Sequence, residues 1–196
     1  VDGKEMVIPA TNEKATATST KLASAKVASV SAASSVSDTG NGLYVKNGKL
    51  YADDEEFIMR GVNIPHAWFA SYTEGSIADA AELGSNTVRV VLGEGTLYTK
   101  TTSSEVSNII NWAKQSGQIC VLELHDFTGK NNATNITSNA VNYWKDLKDI
   151  LNANKDYVIL NIANEWCGQW DKDVTSDSDK ALWKNTYVQA VQALRN

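Results

Sequence analysis

Four side chains able to do chemistry sit in or at the ends of apolar runs. Glu165 follows Val158-Ile-Leu-Asn-Ile-Ala and lies between Asn164 and Trp166. His125 closes the run Gln118–His125, with Glu123 two residues earlier, and Arg89 lies inside Asn86–Leu92. A carboxylic acid at the exit of a buried strand can give and take a proton. The bland alternative for Glu165 is the first solvated residue after a strand. For Arg89 and Glu123 it is a buried ion pair without catalytic purpose. Buried ion pairs are poor devices for stability and tend to mark sites, which favours the chemical reading.

The elements that must position these groups follow from periodicity. Val158–Cys167 is short and rich in β-branched residues, and it reads as a strand buried on both faces, as parallel sheets require. Period-2 alternation puts Glu165, Ala163 and Asn161 on one side, Leu160 and Ile162 on the other. The same rule puts His125, Glu123 and Val121 together, and Arg89 with Thr87 and Val91. Arg89, Glu123, His125 and Glu165 then share the interior face of three consecutive strands, near their C-terminal ends.

Taken in order, Asn47-Gly48 predicts a hairpin between two short alternating runs. Phe57–Ile64 reads as a first buried strand, leading into a ring-rich loop, Pro65–Tyr72. Ser76 reads as the cap of a helix ended by Gly84. Thr102 and Glu105 have the spacing of a capping box for a helix ended by Gly117. Ser138 reads as the cap of a helix carrying Ala140, Trp144, Leu147 and Leu151 inward. A last helix starts near Asp179. The pattern is a hairpin, then β-α four times, at a pitch of roughly 30–40 residues. About 250 residues make eight such units in a TIM barrel. The expected fold is therefore α/β, a TIM (β/α)8-type barrel truncated to an N-terminal hairpin and about four βα units. An open doubly wound sheet shares the local pattern, but no G-x-G-x-x-G or G-x-x-x-x-G-K-[ST] follows any strand, so a nucleotide site has little support.

Composition narrows the class further. The chain has 196 residues and a formal net charge of −5, which argues against nucleic acid as a partner. No apolar run approaches the roughly 18 residues of a membrane span. About two-thirds of residues 11–40 are Ala, Ser or Thr. Residues 1–41 therefore read as a disordered tail or linker, through which further domains could be attached, and 42–196 as the folded part. Two histidines and two cysteines give no metal pattern, and no cofactor is implied. Cys120 and Cys167 lie toward opposite ends of neighbouring strands. Cys120 to His125 alone spans about 16 Å at roughly 3.3 Å per residue, so no disulfide is expected. The chain opens at Val1 with no visible signal peptide, which says nothing about secretion.

Several strings carry a resemblance. Arg60-Gly-Val-Asn, Asn86-Thr-Val-Arg-Val-Val-Leu, Glu123-Leu-His-Asp-Phe-Thr-Gly and Asn161-Ile-Ala-Asn-Glu-Trp-Cys-Gly-Gln-Trp occur in order at successive strand ends. With Gly42-Leu-Tyr-Val, Gly48-Lys-Leu-Tyr and His66-Ala-Trp, residues 42–196 resemble glycoside hydrolase family 5, most of all its bacterial endo-β-1,4-mannanases. The resemblance implies a retaining polysaccharide hydrolase, secreted, acting on mannan, glucomannan or cellulose. Glu165 would be the general acid/base, with a pKa raised by partial desolvation beside aromatic groups. Asn164 would contact the sugar 2-hydroxyl, Arg89 would orient the nucleophilic carboxylate, and His125 would shape the subsite around the scissile bond. His66, Trp68, Trp166 and Trp170 would serve as carbohydrate platforms, whereas Trp144 and Trp183, on helices, read as structural. Asn132-Ala-Thr and Asn135-Ile-Thr match the glycosylation sequon, but in a bacterial-like chain they are chance matches.

The departure from the family pattern carries as much weight. A retaining glycosidase needs a second carboxylate about 5 Å from the first. In the family it comes from the seventh strand, and four units supply none. Glu123 and Asp126 are local candidates to which the pattern gives no such role. The expectation is a piece that is inactive alone, with open apolar edges that invite aggregation. Two other readings remain: a cellulase of the same family, and a carbohydrate-binding unit that needs no acid.

Overall fold

The computed structural model describes residues 42–168 and 176–195. The segment 1–41 and Trp170 lie outside the described residues. Two sheets are present among the described residues. The first is a three-stranded antiparallel meander of β1 (Leu43–Lys46), β2 (Lys49–Ala52) and β3 (Glu55–Glu56). Asn47 and Gly48 both adopt left-handed φ, 53° and 74°, which a two-residue turn matched to strand twist requires. The second sheet is parallel, in the order β4 (Gly61–Ile64), β5 (Thr87–Leu92), β6 (Ile119–Leu124) and β7 (Val158–Asn161).

Helices join these strands. They are α1 (His66–Phe69), α2 (Thr73–Glu82), α3 (Ser103–Gln115), α4 (Val141–Asp146), α5 (Lys148–Ala153) and α6 (Asp177–Arg195). Val88, Val90 and Leu92 of β5 and Cys120, Leu122 and Leu124 of β6 are fully buried. They pack in one cluster with Ile77, Ile109, Ile110, Trp144 and Ala190 from the helices. Alternation sends the other set, including Arg89 and Glu123, to the opposite face. The parallel register pairs Asn63 with Arg89, and Glu123 with Asn161. The α3 capping box forms as its spacing predicts. Thr102 Oγ1 accepts from the Glu105 amide, and the Glu105 carboxylate accepts from the Thr102 amide at 2.7 Å. Both cysteines are free and buried.

Several local expectations are corrected. The strand expected over Phe57–Ile64 is confined to Gly61–Ile64, and only Ile64 of it is buried: Val62 is 53% exposed. Residues 58–60 instead hang on the Asn86 side chain, which accepts from the Arg60 amide at 2.7 Å and donates to the Ile58 carbonyl at 3.0 Å. Pro65–Tyr72 is not a loop but α1 followed by a 3-10 turn, Ala70–Tyr72. The next helix starts at Thr73, so Ser76 is inside it and caps nothing. Ser138 likewise lies within a π-helical turn, Asn135–Ala140, that leads directly into α4. β7 is half-buried rather than buried, and it ends at Asn161, four residues before Glu165.

Candidate active site

Arg89 is the hub of the polar face. Its Nη1 donates to Asn63 Oδ1 at 3.2 Å and pairs with Glu123 Oε2 at 3.5 Å. Its Nη2 donates to Asn161 Oδ1 at 3.2 Å and to Asn164 Oδ1 at 2.8 Å. One planar fork of donors therefore ties β5 to β4, β6 and β7. Glu123, with no exposed surface, also meets His125 Nδ1 at 3.0 Å. Burial pushes the Glu123 carboxyl up, and the neighbouring Arg89 and His125 pull it back. The Glu165 carboxylate is close enough to add a smaller upward push. Glu165 lies beyond the end of β7, while Arg89, Glu123 and His125 gather in one cluster as expected. Asn63 and Asn161 join it, although sequence reasoning gave neither a role.

Glu165 is carried by a tightly held segment beyond β7. Trp144 Nε1 donates to the Ile162 carbonyl and the Tyr187 hydroxyl to the Ala163 carbonyl, both at 3.1 Å. The Asn164 amide donates to the Leu124 carbonyl at 2.8 Å. The Gly129 amide donates to the Glu165 carbonyl at 3.1 Å, and the Cys167 amide to the Lys130 carbonyl at 2.6 Å. Within this frame Glu165 and Cys167 adopt left-handed φ of 42° and 72°. Such backbone costs of order 1–3 kcal/mol and persists only where surroundings over-determine it, often at functional sites. Asn164 is fixed at both ends of its amide, because its Nδ2 donates to Thr128 Oγ1 at 3.0 Å. A primary amide has two donor hydrogens, so one remains for a ligand. The Glu165 side chain itself is exposed.

The aromatic residues divide. Trp68, 44% exposed, meets His125 edge-on at a centroid distance of 5.0 Å and Tyr98 at 5.1 Å. Tyr98 in turn lies 5.9 Å from His125, completing a three-ring wall. Trp166 is buried against Tyr187, at 6.0 Å, and offers almost no ring face to a sugar. His66 is 5% exposed, with Nδ1 2.8 Å from Thr73 Oγ1, and it too presents little ring surface. Trp144 is buried, in keeping with a structural role, while Trp183 is nearly half exposed and packs beside Tyr187. Tyr98 went unrecognised in the sequence, and the buried Asp126 was named there only as a candidate carboxylate, not as a partner of backbone amides. The only signal for either was adjacency, Asp126 to His125 and Tyr98 to a short loop after β5. No cluster of His, Cys, Asp and Glu suited to a metal occurs among the described residues.

Residues 50–196 match the family described as Cellulase (glycosyl hydrolase family 5). The chain belongs to glycosyl hydrolase family 5. Within this family it is 36% identical over 156 residues to a mannan endo-1,4-beta-mannosidase of Salipaludibacillus agaradhaerens, covering 79% of this chain and 48% of that protein. It is 42% identical over 157 residues to the mannan endo-1,4-beta-mannosidase of Cellvibrio japonicus, covering 79% of this chain and 35% of that protein. Among solved structures, the mannohexaose complex of a Thermomonospora fusca beta-mannanase superposes with a TM-score of 0.68 at 42% identity. That alignment covers 79% of this chain and 50% of the other. A family 5 cellulase from an Icelandic hot spring isolate, 16% identical with a TM-score of 0.60, shares the fold. This family 5 chain spans about half the length of the relatives it matches, or less.

Proposed function

We propose that residues 42–196 are the acid/base half of a retaining endo-β-1,4-mannanase, the parallel sheet forming the N-terminal half of an eight-stranded barrel. The observation that carries this is the placement of Glu165. It is an exposed carboxyl on a left-handed, multiply bonded segment next to an amide fixed by Arg89. In this reading Glu165 protonates the glycosidic oxygen as the bond breaks, then takes a proton from water in the second step. The free N–H of Asn164 meets the sugar 2-hydroxyl. Trp68 and His125 border the sugar, while Arg89 and Glu123 hold the strand tops in register. Trp166 and His66 act from within the protein rather than as platforms.

The attacking carboxylate is assigned to a segment other than 42–196. Glu123 is buried and bound to Arg89 and His125. Asp126 is buried and occupied by backbone amides. Neither is free to attack a sugar carbon. Identities of 36–44% to relatives named as mannan endo-1,4-beta-mannosidases favour mannan over cellulose as the substrate. A long polysaccharide does not cross a membrane, which supports an enzyme that acts outside the cell.

The test is hydrolysis of mannan and of carboxymethylcellulose by the 196-residue protein, with and without a fused C-terminal half of the Thermomonospora fusca enzyme. The fusion is expected to cut mannan and to lose that activity on Glu165→Gln, whereas the 196-residue protein alone is inactive. Mannan hydrolysis by the 196-residue protein alone, sensitive to Glu165→Gln, would overturn the assignment of the nucleophile elsewhere. A fusion that cuts only the glucan would overturn the substrate.

A further inference from the structure

The connection between β5 and α3 is folded around a single carboxylate. Asp126, almost fully buried, accepts from four backbone amides. Its Oδ2 takes Glu94 at 2.7 Å, and its Oδ1 takes Gly95 at 3.2 Å, Leu97 at 2.8 Å and Tyr98 at 3.1 Å. The base of the loop is closed as well. The Thr101 amide donates to the Gly93 carbonyl at 2.9 Å, and the Gly93 amide donates to Thr101 Oγ1 at 3.1 Å. Gly93 admits no side chain, since a Cβ would lie 2.3 Å from the Thr99 carbonyl oxygen. Charge-assisted bonds of this kind are about twice as strong as neutral ones, so four of them on one buried anion hold the loop firmly in one shape.

That shape has one visible product, the position of Tyr98. Its half-buried ring stands against the exposed Trp68 and against His125, whose other partner is Glu123. Tyrosine combines an apolar ring face, suited to the C–H face of a sugar, with a hydroxyl that can donate or accept.

Building on the mannan-cleft reading, we propose that Tyr98 is a further sugar-contacting residue of this site and that Asp126 is the positioning residue that sets it in place. The ligand is a mannosyl unit of a β-1,4-linked chain, lying along the wall of Trp68, Tyr98 and His125. Asp126 touches no sugar; it acts by holding the amides on either side of the turn that presents Tyr98.

The experiment is titration of the 196-residue protein with mannohexaose, followed by intrinsic tryptophan fluorescence. Tyr98→Ala is expected to weaken binding about tenfold, the size of one lost aromatic contact, and Tyr98→Phe to weaken it less. Asp126→Ala is expected to weaken binding by a similar factor. Combined with Tyr98→Ala it should add nothing, because both act through one ring. Asp126→Asn keeps one acceptor oxygen, for the amides of Gly95, Leu97 and Tyr98, and should recover part of the loss. If Asp126→Ala does not fold, Tyr98→Ala and Asp126→Asn carry the same comparison. Wild-type binding left unchanged by Tyr98→Ala would overturn the proposal while sparing the mannan reading. Additive losses in the double variant, or in Tyr98→Ala with Asp126→Asn, would overturn the positioning role of Asp126. Wild-type protein that binds no mannohexaose would remove the mannan reading and this proposal with it.

Discussion

Arg89 and Asn164 lie 75 positions apart in the chain, yet the arginine Nη2 is 2.8 Å from the amide Oδ1. The same guanidinium reaches Asn63, Glu123 and Asn161. A residue in the middle of the sheet therefore sets the orientation of the side chain immediately before Glu165. Removing it disturbs the strand tops and the candidate acid together.

Arg89→Met is expected to destabilise the fold by about 3–5 kcal/mol, the usual cost of leaving one partner of a buried ion pair behind. Glu123 loses its cation, and three asparagine oxygens lose a donor. Arg89→Lys keeps the charge without the fork and should recover only part of the loss. Urea unfolding midpoints measure both. An Arg89→Met variant within about 0.5 kcal/mol of wild type, the range of ordinary surface changes, would show that the cluster is held by other means.

The acid limb of stability should carry a His66 contribution. Burial holds this imidazole below its ordinary value, against an opposing pull from Glu105. The unfolded chain takes up a proton near pH 6.5, whereas the folded chain takes it up only at lower pH. Between those values the unfolded state binds more protons, so stability increases with pH. The contribution is fully present above about pH 6.5 and is lost as pH falls toward the folded value. His66→Gln has no such proton to bind. The wild-type minus His66→Gln difference in unfolding free energy should therefore shrink from pH 7.5 to pH 5.5. A difference independent of pH would contradict this.

The residues that were legible in the sequence are those whose geometry is local. Asn47-Gly48 and Thr102-x-x-Glu105 act within a few residues and form as their types dictate. Alternation placed Arg89, Glu123 and Asn161 on one face because a strand has a period of two whatever surrounds it. Ser76 and Ser138 have the right type for caps, but the helix starts are set elsewhere. Thr73, buried and bonded to His66, begins one helix, and a π-helical turn runs into the other. The roles of Asn63 and Tyr98, and the backbone amides held by Asp126 (read in the sequence only as a candidate carboxylate), were not legible, since their partners lie on other strands and loops. The extent of β7 was overestimated because its apolar run continues past Asn161, where the ladder with β6 stops.

Two glycines should respond in opposite directions to alanine. A Cβ on Gly61 would lie 1.7 Å from the Thr87 carbonyl oxygen, between β4 and β5. Gly61→Ala must push the strands apart and take Asn63 away from Arg89, at a cost of about 1–3 kcal/mol or more. A Cβ on Gly75, in the exposed first turn of α2, meets nothing within 4 Å. Gly75→Ala should stabilise by about 0.5–1 kcal/mol through helix propensity and a less flexible unfolded chain. Thermal melts of the two variants beside wild type check both signs, and equal shifts would contradict the steric account of β4.

Glu123 should give a pH dependence opposite to that of His66. Burial raises its carboxyl above the ordinary carboxylate range, and the Arg89 and His125 charges offset part of that rise. For an acid whose folded value is raised, the contribution to stability is fully present below the unfolded value, near pH 4.3, and is lost as pH increases through the folded value. Glu123→Gln cannot ionise, so it lacks this loss. The advantage of wild type over Glu123→Gln should therefore be largest at acid pH and shrink on the way to pH 7.5. Arg89 is not stranded by the change, because it keeps the oxygens of Asn63, Asn161 and Asn164 and is partly open to solvent. That distinguishes this variant from Arg89→Met, in which the fully buried member of the pair is the one left alone. Urea unfolding of both proteins at pH 5 and pH 7.5 makes the comparison. A wild-type advantage that grows with pH would mean that the pull of Arg89 and His125 outweighs burial, so that the folded protein holds the Glu123 carboxyl below its ordinary value instead of above it.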